Sequence, residues 1–215
     1  MSTTEYREAA RPLPPTPLFK AMRALLVVQA DLIGDTDQPI EVVIAGGVAV
    51  HYWTGDRATG GAYCEFLNRV LVSEEHVFYE DEEGKTQALY FDRNFSASLG
   101  PMHDAYLDRR VRVTEWEPSP SIRAYVLDPV DLAISKLGRF ETHDRADICS
   151  LAEHGLIDCE EFERLATEAI GYYVGNKGFL PQNLADAVTT IKRCTPAQSG
   201  EQADESDEPA FDGPR

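Results

Sequence analysis

The sequence predicts an α/β protein in which a small mixed sheet with flanking helices is followed by a helical C-terminal region. Three patterns support this class. IEVVIA-GG-VAVHYW (40–53) is typical of a buried strand, a Gly-Gly turn and a helix. HVFYEDEEGKTQALYFD (76–92) is typical of a β-hairpin, because apolar strands flank a polar turn that contains Gly84. After Asp128, apolar residues recur at helical spacing.

The N-terminal half begins with an arm, residues 1–17, whose four prolines predict a flexible, extended chain. Residues 18–33 have apolar residues at helical spacing and predict one amphipathic helix. The strand at 40–45 and the helix to Trp53 follow. We expect further strands at 62–67, in the hairpin, near 109–117 and at 122–127. These elements make up an α/β domain over residues 18–127.

The C-terminal half begins at Asp128-Pro129, a capping side chain followed by proline at the first helical position. That helix is predicted to reach about Phe140. A second helix covers about 144–154 and stops at Gly155, and two more lie near 159–172 and 181–194. The helical region thus spans 128–194. Residues 195–215 are acidic, rich in Pro, Gly and Ser, and poor in apolar residues, which predicts a disordered tail.

Composition narrows the class of protein. The 215 residues carry a net charge of -17, which disfavours non-specific binding to nucleic acid or anionic membranes. The sequence has no run of about eighteen apolar residues, which a membrane-spanning helix would need, and no signal peptide is apparent. We therefore expect a cytoplasmic protein. Four cysteines without C-x-x-C spacing predict reduced thiols rather than a zinc site.

The Gly46-Gly47 turn between strand and helix has a mechanism for binding phosphate. Backbone N–H groups at a helix N-terminus are without helical partners, and the helix dipole favours an anion there. A structural tight turn is the alternative. No Gly-Lys-Ser/Thr follows the turn, so it is not a Walker loop.

A second cluster of polar residues lies in DLAISKLGRFETHDRADICSL (131–151). Lys136, Arg139, His143 and Asp147 follow one another at intervals of three or four residues, so they share one face if the two helical pieces are nearly collinear. A solvated charged face is the alternative. The cluster adjoins the predicted boundary between the halves, where ligand clefts often lie.

Together these motifs resemble a group of uncharacterised bacterial proteins with the nucleotidyltransferase fold. The group is distantly related to the nucleotidyltransferase-like toxins of toxin–antitoxin and abortive-infection systems. The resemblance covers about residues 20–194 and is most specific at the Gly-Gly turn and at DLAISKLGRF…DRADI. It implies a nucleotidyltransferase-like mixed sheet with flanking helices and a helical C-terminal region that closes over a cleft.

In active members of that group, the glycine turn holds a nucleoside triphosphate and a D-x-D pair on the next strand binds Mg²⁺. Aligned on Arg57 and Thr59, this pair falls on Gly61 and Tyr63 of RATGGAYCEF (57–66). Neither residue offers a carboxylate to a hard cation. The chain therefore lacks the expected metal pair.

The resemblance also implies roles for other residues. Glu65, if the strand register slips by two residues, and Asp92, as a third acid, are the remaining candidate metal ligands. Lys136 and Asp147 match positions used for nucleotide contact or catalysis. The implied nucleotide-binding residues are Gly46, Gly47, Arg57, Thr59 and Arg139. We expect Gly46 and Gly47 to begin a helix at the mouth of a cleft that Arg57, Thr59 and Lys136 also face.

Two classes of function remain open. An active enzyme would use Mg²⁺, held by Glu65 and Asp92, to transfer a nucleotidyl group from a nucleoside triphosphate to RNA or to a protein hydroxyl. A degenerate member, or pseudoenzyme, would be a nucleotide- or partner-binding regulatory module, with a cognate antitoxin-like protein as one such partner. The missing D-x-D pair favours the second class.

The tail yields a prediction about stability. Removing residues 196–215 should leave the thermal midpoint nearly unchanged, because the tail carries too little apolar surface to offset the entropy of ordering it. Differential scanning calorimetry of the truncated and full-length chains measures this. A fall of several degrees would show that the tail packs on the core.

Overall fold

A computed structural model describes residues 7–8, 15–56, 59–92 and 100–196. The strands within these ranges are β1 (Arg7–Glu8), β2 (Ile40–Ala45), β3 (Gly61–Phe66), β4 (Val77–Glu80), β5 (Thr86–Phe91), β6 (Val111–Arg112) and β7 (Ile122–Val126). The α-helices are α1 (Pro17–Ile33), α2 (Gly46–Thr54), α3 (Tyr106–Arg109), α4 (Pro129–Ser135), α5 (Thr142–Glu153), α6 (Cys159–Tyr172) and α7 (Leu180–Cys194). Short 3₁₀ helices cover Thr114–Trp116 and Lys136–Gly138.

The described strands form one mixed sheet in the order β1-β6-β7-β2-β3-β5-β4. The central strand β2 runs parallel to β7 and antiparallel to β3. Its last four residues, 42–45, are all buried, which is typical of a strand covered on both faces. The mixed sheet, its flanking helices and the helical C-terminal region confirm the predicted α/β class.

Aromatic side chains pack α1 and α2 against the 3₁₀ turn that follows β6. The ring of Trp116 lies 5.0 Å from that of Phe19 and 5.3 Å from that of Tyr52, between ring centroids. The Trp116 indole also donates a hydrogen bond to the Phe19 carbonyl at 3.1 Å. Because Trp116 turns inward in this way, the predicted strand near 109–117 is only two residues long and gives way to a 3₁₀ turn.

The C-terminal helices begin and end close to the expected residues where local signals fix them. Asp128 caps α4 by accepting from the Val130 N–H at 3.1 Å, with Pro129 at the first helical position. Gly155, at φ 67°, follows the end of α5. One boundary differs from the expected one. Helix α4 ends at Ser135 rather than at about Phe140, because a 3₁₀ turn follows and Phe140, at φ 53°, interrupts the helical backbone before α5.

The expectation of four reduced cysteines is wrong for two of them. Cys149 in α5 and Cys194 at the end of α7 form a disulfide across 45 residues of sequence. These helices pack against each other, which brings the two Cα atoms to 5.4 Å. Cys64 and Cys159 are free thiols. Disulfides persist mainly in oxidising environments, so this pairing does not support the predicted cytoplasmic location. The location itself stays a prediction.

No helix in the described ranges is both long and apolar enough to cross a membrane. The predicted tail lies almost wholly outside the described residues, as does most of the N-terminal arm apart from β1. The truncation outcome given above therefore stays a prediction.

The disulfide should contribute measurably to stability. Replacing Cys149 with serine removes a cross-link that closes a 45-residue loop, and the loop-closure model gives a loss of about 4 kcal/mol in the free energy of unfolding. Chemical denaturation without reductant measures the loss. The matched control is Cys159→Ser, which removes a free thiol and should change little. Equal stability of Cys149→Ser and wild type would contradict the pairing.

Candidate functional site

The Gly-Gly turn is closely packed by two side chains of the following segment. Gly46 has φ 63°, a conformation that favours glycine. A Cβ at Gly46 would lie 2.2 Å from Cδ2 of Tyr63, and one at Gly47 would lie 2.9 Å from the Thr59 Cβ. Both positions therefore need glycine, because Tyr63 and Thr59 fill the space that a larger residue would occupy.

The register of β3 explains why Tyr63 meets the turn. Ala45, the last residue of β2, is paired with Tyr63 across the antiparallel ladder. Because side chains alternate along a strand, Ala62 and Cys64 point to the buried side. Gly61, Tyr63 and Glu65 therefore share the opposite side of β3, and an aromatic ring lies at the start of α2 where the family resemblance expected a carboxylate.

Strand β5 extends the same side of the sheet. It is parallel to β3, with Gly61 beside Tyr90 and Ala62 beside Phe91. The Asp92 N–H donates to the Ala62 carbonyl at 2.9 Å, so Asp92 continues this register to the level of Tyr63. We call this side of the two strands the β3–β5 face; its members are Gly61, Tyr63, Glu65, Tyr90 and Asp92.

Glu65 already has a protein partner on this face. The Tyr106 hydroxyl, from α3, donates a 2.6 Å hydrogen bond to Glu65 Oε2. Burial and this hydrogen bond to a carboxylate raise the pKa of Tyr106 well above its ordinary value. The phenol is therefore protonated at neutral pH and holds Glu65 in place.

Two members of the helical cluster, Lys136 and Asp147, lie in a buried ion network, whereas Arg139 and His143 are exposed. Lys136 donates to Asp147 and lies 3.7 Å from Asp144 Oδ1, and all three side chains are buried. Arg139 binds Asp144 with two hydrogen bonds, Nε to Oδ2 at 2.9 Å and Nη2 to Oδ1 at 3.0 Å. Two cations and two carboxylates thus neutralise each other, as buried charges must.

Asp144 holds the network together from the first turn of α5. Its side chain accepts the Glu141 N–H at 3.0 Å as part of a capping box. Burial opposes the charged form of Asp144, but the bonds from Arg139 and Glu141 outweigh it, so the pKa of Asp144 lies below its ordinary value. Asp144 was missed in the sequence because the helix was expected to begin at about residue 144, whereas Glu141 is the N-cap and Asp144 is the third residue of the helix.

Arg139 connects the helical network to the β3–β5 face. Its bond to Asp144 is the main cause of its raised pKa, and a charge interaction with Tyr63 is a small further cause. Helix α2, which begins at the Gly-Gly turn, packs against both α4 and α5. The Gly-Gly turn and Arg139 therefore lie in the same part of the molecule, and 57% of the Arg139 side-chain surface is exposed.

The structure brings some of the predicted site residues together. Gly46 lies against Tyr63 and Gly47 against Thr59. Lys136 and Asp147 lie in the buried network, which Asp144 connects to Arg139. Glu65 and Asp92 lie along the same face of the sheet. His143 is exposed, and within the described chain it forms no hydrogen bond or ion pair with Lys136 or Asp147. Arg57 lies outside the described residues.

The β3–β5 face lacks the carboxylate pair that the resemblance implies for active relatives. Gly61 has no side chain, Tyr63 offers a ring, and Glu65 is bonded to Tyr106. Among the described residues, one group of three side chains has its potential metal-ligand atoms within 4.8 Å of one another. It consists of Cys149, Glu153 and Cys194. That group is far in sequence from the face, and two of its members form the disulfide.

A cavity of about 380 Å³ opens at the other end of α2. It lies between the start of α1, the end of α2 and the turn of the β4–β5 hairpin, and Asp56, Asp81, Glu82, Glu83 and Lys85 contribute to its walls. None of the site residues described above lines it. The cavity is therefore separate from the candidate site.

A strand, a Gly-Gly turn and a helix, closed by a Lys-Asp helical block, define a domain of the nucleotidyltransferase type. The chain belongs to the family described as Nucleotidyltransferase of unknown function (DUF6036), whose model matches residues 23–178. Searches of curated proteins and of solved structures found no match. The family supports the resemblance seen in the sequence, at the level of a nucleotidyltransferase-like family.

The packing of Tyr63 on the turn predicts a specific energetic coupling. Gly46→Ala should destabilise the protein by the cost of a left-handed alanine, about 1–2 kcal/mol, and by a further amount of about 1–3 kcal/mol for the clash with the Tyr63 ring. In the Tyr63→Ala background the second part should vanish. Urea denaturation of the four proteins of this double-mutant cycle measures it.

Gly55→Ala is the matched control for the backbone strain alone. Gly55 has φ 79°, and no atom lies within 4 Å of the position of its Cβ. It should lose only about 1–2 kcal/mol, in either background. Equal losses for Gly46→Ala and Gly55→Ala in the presence of Tyr63 would mean that the ring does not cover the turn.

Proposed function

We propose that this chain is a degenerate nucleotidyltransferase, a pseudoenzyme that acts as a nucleotide- or partner-binding module. One observation carries the proposal. The Tyr63 ring packs on Gly46, and Gly61 stands at the other position where active relatives have a metal-binding carboxylate. Nucleotidyl transfer depends on metal ions that orient the triphosphate and neutralise its developing charge. Loss of both carboxylates should remove most of the rate.

The residues that remain are suited to binding rather than to metal-dependent chemistry. Lys136 is buried and already neutralised by Asp147 and Asp144. Arg139 uses only Nε and Nη2 for Asp144, so three of its five N–H donors lie outside the hydrogen bonds found in the described chain. Arg139 is therefore the cation that we assign to an anionic ligand, such as the phosphates of a nucleoside triphosphate.

The proposed partners follow from the same reasoning. A nucleoside triphosphate would bind at the Gly-Gly turn beside Thr59 and Arg139, with Arg57 as a further contact from the family resemblance. A cognate antitoxin-like protein is the proposed macromolecular partner. RNA or a protein hydroxyl would be the acceptor only if the chain is active. We place the protein in the cytoplasm.

An active nucleotidyltransferase is the second candidate. The observation in its favour is that Glu65 and Asp92 lie on the same face as Tyr63, one on each of two adjacent strands. In that case they would hold Mg²⁺, while Lys136 and Asp147 would contact the nucleotide or take part in catalysis. Glu65→Gln and Asp92→Asn would then each abolish transfer.

Restoring the carboxylate pair tests the proposal. Calorimetric titration of Mg²⁺ and ATP into wild type should show no strong dependence of ATP binding on Mg²⁺. The double variant Gly61→Asp with Tyr63→Asp should gain Mg²⁺ affinity, because two carboxylates then face one site. The matched control is Gly61→Asn with Tyr63→Asn, which has the same shape without charge and should gain none. Thermal melts verify that each variant is folded.

Two results would contradict the proposal or its basis. Efficient Mg²⁺-dependent transfer by wild type would establish the active enzyme. A folded Asp double variant that gains no more Mg²⁺ affinity than the Asn control would mean that residues 61 and 63 do not occupy the positions of the metal pair.

A further inference from the structure

The exposed outer strand of the sheet carries an apolar side chain that contacts little of its own chain. Strand β4 lies at the end of the sheet order, so within the described residues only its β5 side is paired. Phe78, in the middle of β4, is 72% exposed. An unpaired strand edge offers backbone N–H and C=O groups to another extended chain.

Phe78 lies on the same side of the sheet as the candidate site. In the β4–β5 ladder Phe78 is paired with Ala88, and Tyr90 is two residues further along the same side of β5. Tyr90 is 41% exposed and lies beside Gly61 in the register with β3. A strip of exposed or half-buried aromatic rings thus runs from the outer edge, at Phe78, through Tyr90 to Tyr63.

The chain is strongly acidic at both ends of β4. Residues 74–83 hold six acids, which are Glu74, Glu75, Glu80, Asp81, Glu82 and Glu83. The basic side chains in and next to this segment are His76 and Lys85. His76 packs against Tyr90, with ring centroids 5.1 Å apart. Negative charge therefore borders an apolar centre, a combination that favours a partner bearing positive charge.

A second copy of this chain fits the edge poorly. Antiparallel pairing of β4 with itself, centred on the strand, sets Val77 opposite Glu80. The same pairing brings the acids at each end of one β4, Glu74 and Glu75 before it and those of the turn after it, next to the acids of the other copy, and like charges that lie close together repel. A segment with lysine or arginine at those positions would instead form opposite-charge pairs.

We propose that β4 and the aromatic strip behind it dock an extended, basic segment of a partner protein. The segment adds as a further strand along β4, its apolar side chains contact Phe78, and its cations meet the acids at 74–83. This inference rests on the partner-binding part of the proposed function and names the chemistry of the partner. Docking of the segment requires neither nucleotide nor metal, so it can be tested separately from nucleotide binding and transfer.

The test uses defined peptides with the full-length protein. The probe is a fluorescein-labelled peptide of about ten residues in which lysine or arginine alternates with valine. A matched peptide carries glutamate in place of each basic residue. Fluorescence polarisation should show binding of the basic peptide only, weakened when salt rises from about 0.05 M to about 0.5 M because screening shortens the range of charge attraction.

Variants locate the binding. Phe78→Ala should weaken the basic peptide about tenfold or more, since an aromatic side chain at the centre of a contact is a typical hot spot. The matched control is Phe179→Ala, because Phe179 is 76% exposed at the distant start of α7. Glu80→Lys with Glu82→Lys should also weaken binding, whereas Asp35→Lys with Glu163→Lys, which reverses two exposed acids elsewhere, should have less than a twofold effect.

Three outcomes would overturn the proposal. The first is equal binding of both peptides, or loss of binding with the Phe179 control as large as with Phe78→Ala. The second is a wild-type dimer in sedimentation that Phe78→Ala makes monomeric, which would assign the edge to a second copy. The third is binding of labelled poly(U) that depends on Phe78, which would assign the face to RNA. If wild type proves to be an active transferase but peptide binding behaves as expected, the proposed function fails and the docking surface remains.

Discussion

The contact between the Tyr63 ring and Gly46 is the constraint on which the site region depends. A glycine at φ 63° ends β2 and begins α2, and the ring leaves no room for a Cβ. The same contact fixes the pairing of Ala45 with Tyr63, because a shift of one residue would turn Tyr63 to the buried side and expose Ala62 or Cys64. One close approach therefore sets the helix start, the strand register and the chemistry of the β3–β5 face.

The buried ion network stabilises the helical block through charges of the block itself. Burial removes the hydration of the Lys136 ammonium group. The carboxylates of Asp147 and Asp144 offset this loss, and Arg139 balances the charge of Asp144. Removing any single partner would leave a buried charge uncompensated. The structural role of the network is enough to explain the Lys-Asp spacing that the sequence displays.

Local signals in the sequence were sufficient for most elements but not for the long-range contacts. The run IEVVIA, the hairpin around Gly84 and the Asp128-Pro129 helix start each depend on a few adjacent residues, and each is present. The disulfide joins residues 45 apart, and the Tyr106–Glu65 bond joins residues 41 apart, so neither leaves a local pattern. The turn at Phe140 was missed because a non-glycine residue with positive φ is held there by its surroundings, including Arg145, 4.3 Å from the ring.

The distribution of charge gives the β3–β5 face a different chemistry from that of a metal-dependent transferase. A metal site needs a pair of carboxylates in its centre, whereas here Tyr63 and Tyr90 supply aromatic rings, the carboxylate of Glu65 is bonded to Tyr106, and a further group of acids lies at the outer edge of the sheet, next to β4. Aromatic surface supplies binding energy through burial, and peripheral charge supplies selection among partners and faster encounter rather than affinity. With a net charge of -17, the chain as a whole attracts cationic molecules. The apolar side chain at the edge then discriminates among them, because only a partner that also offers apolar side chains in an extended backbone can cover Phe78 while its charges reach the acidic edge.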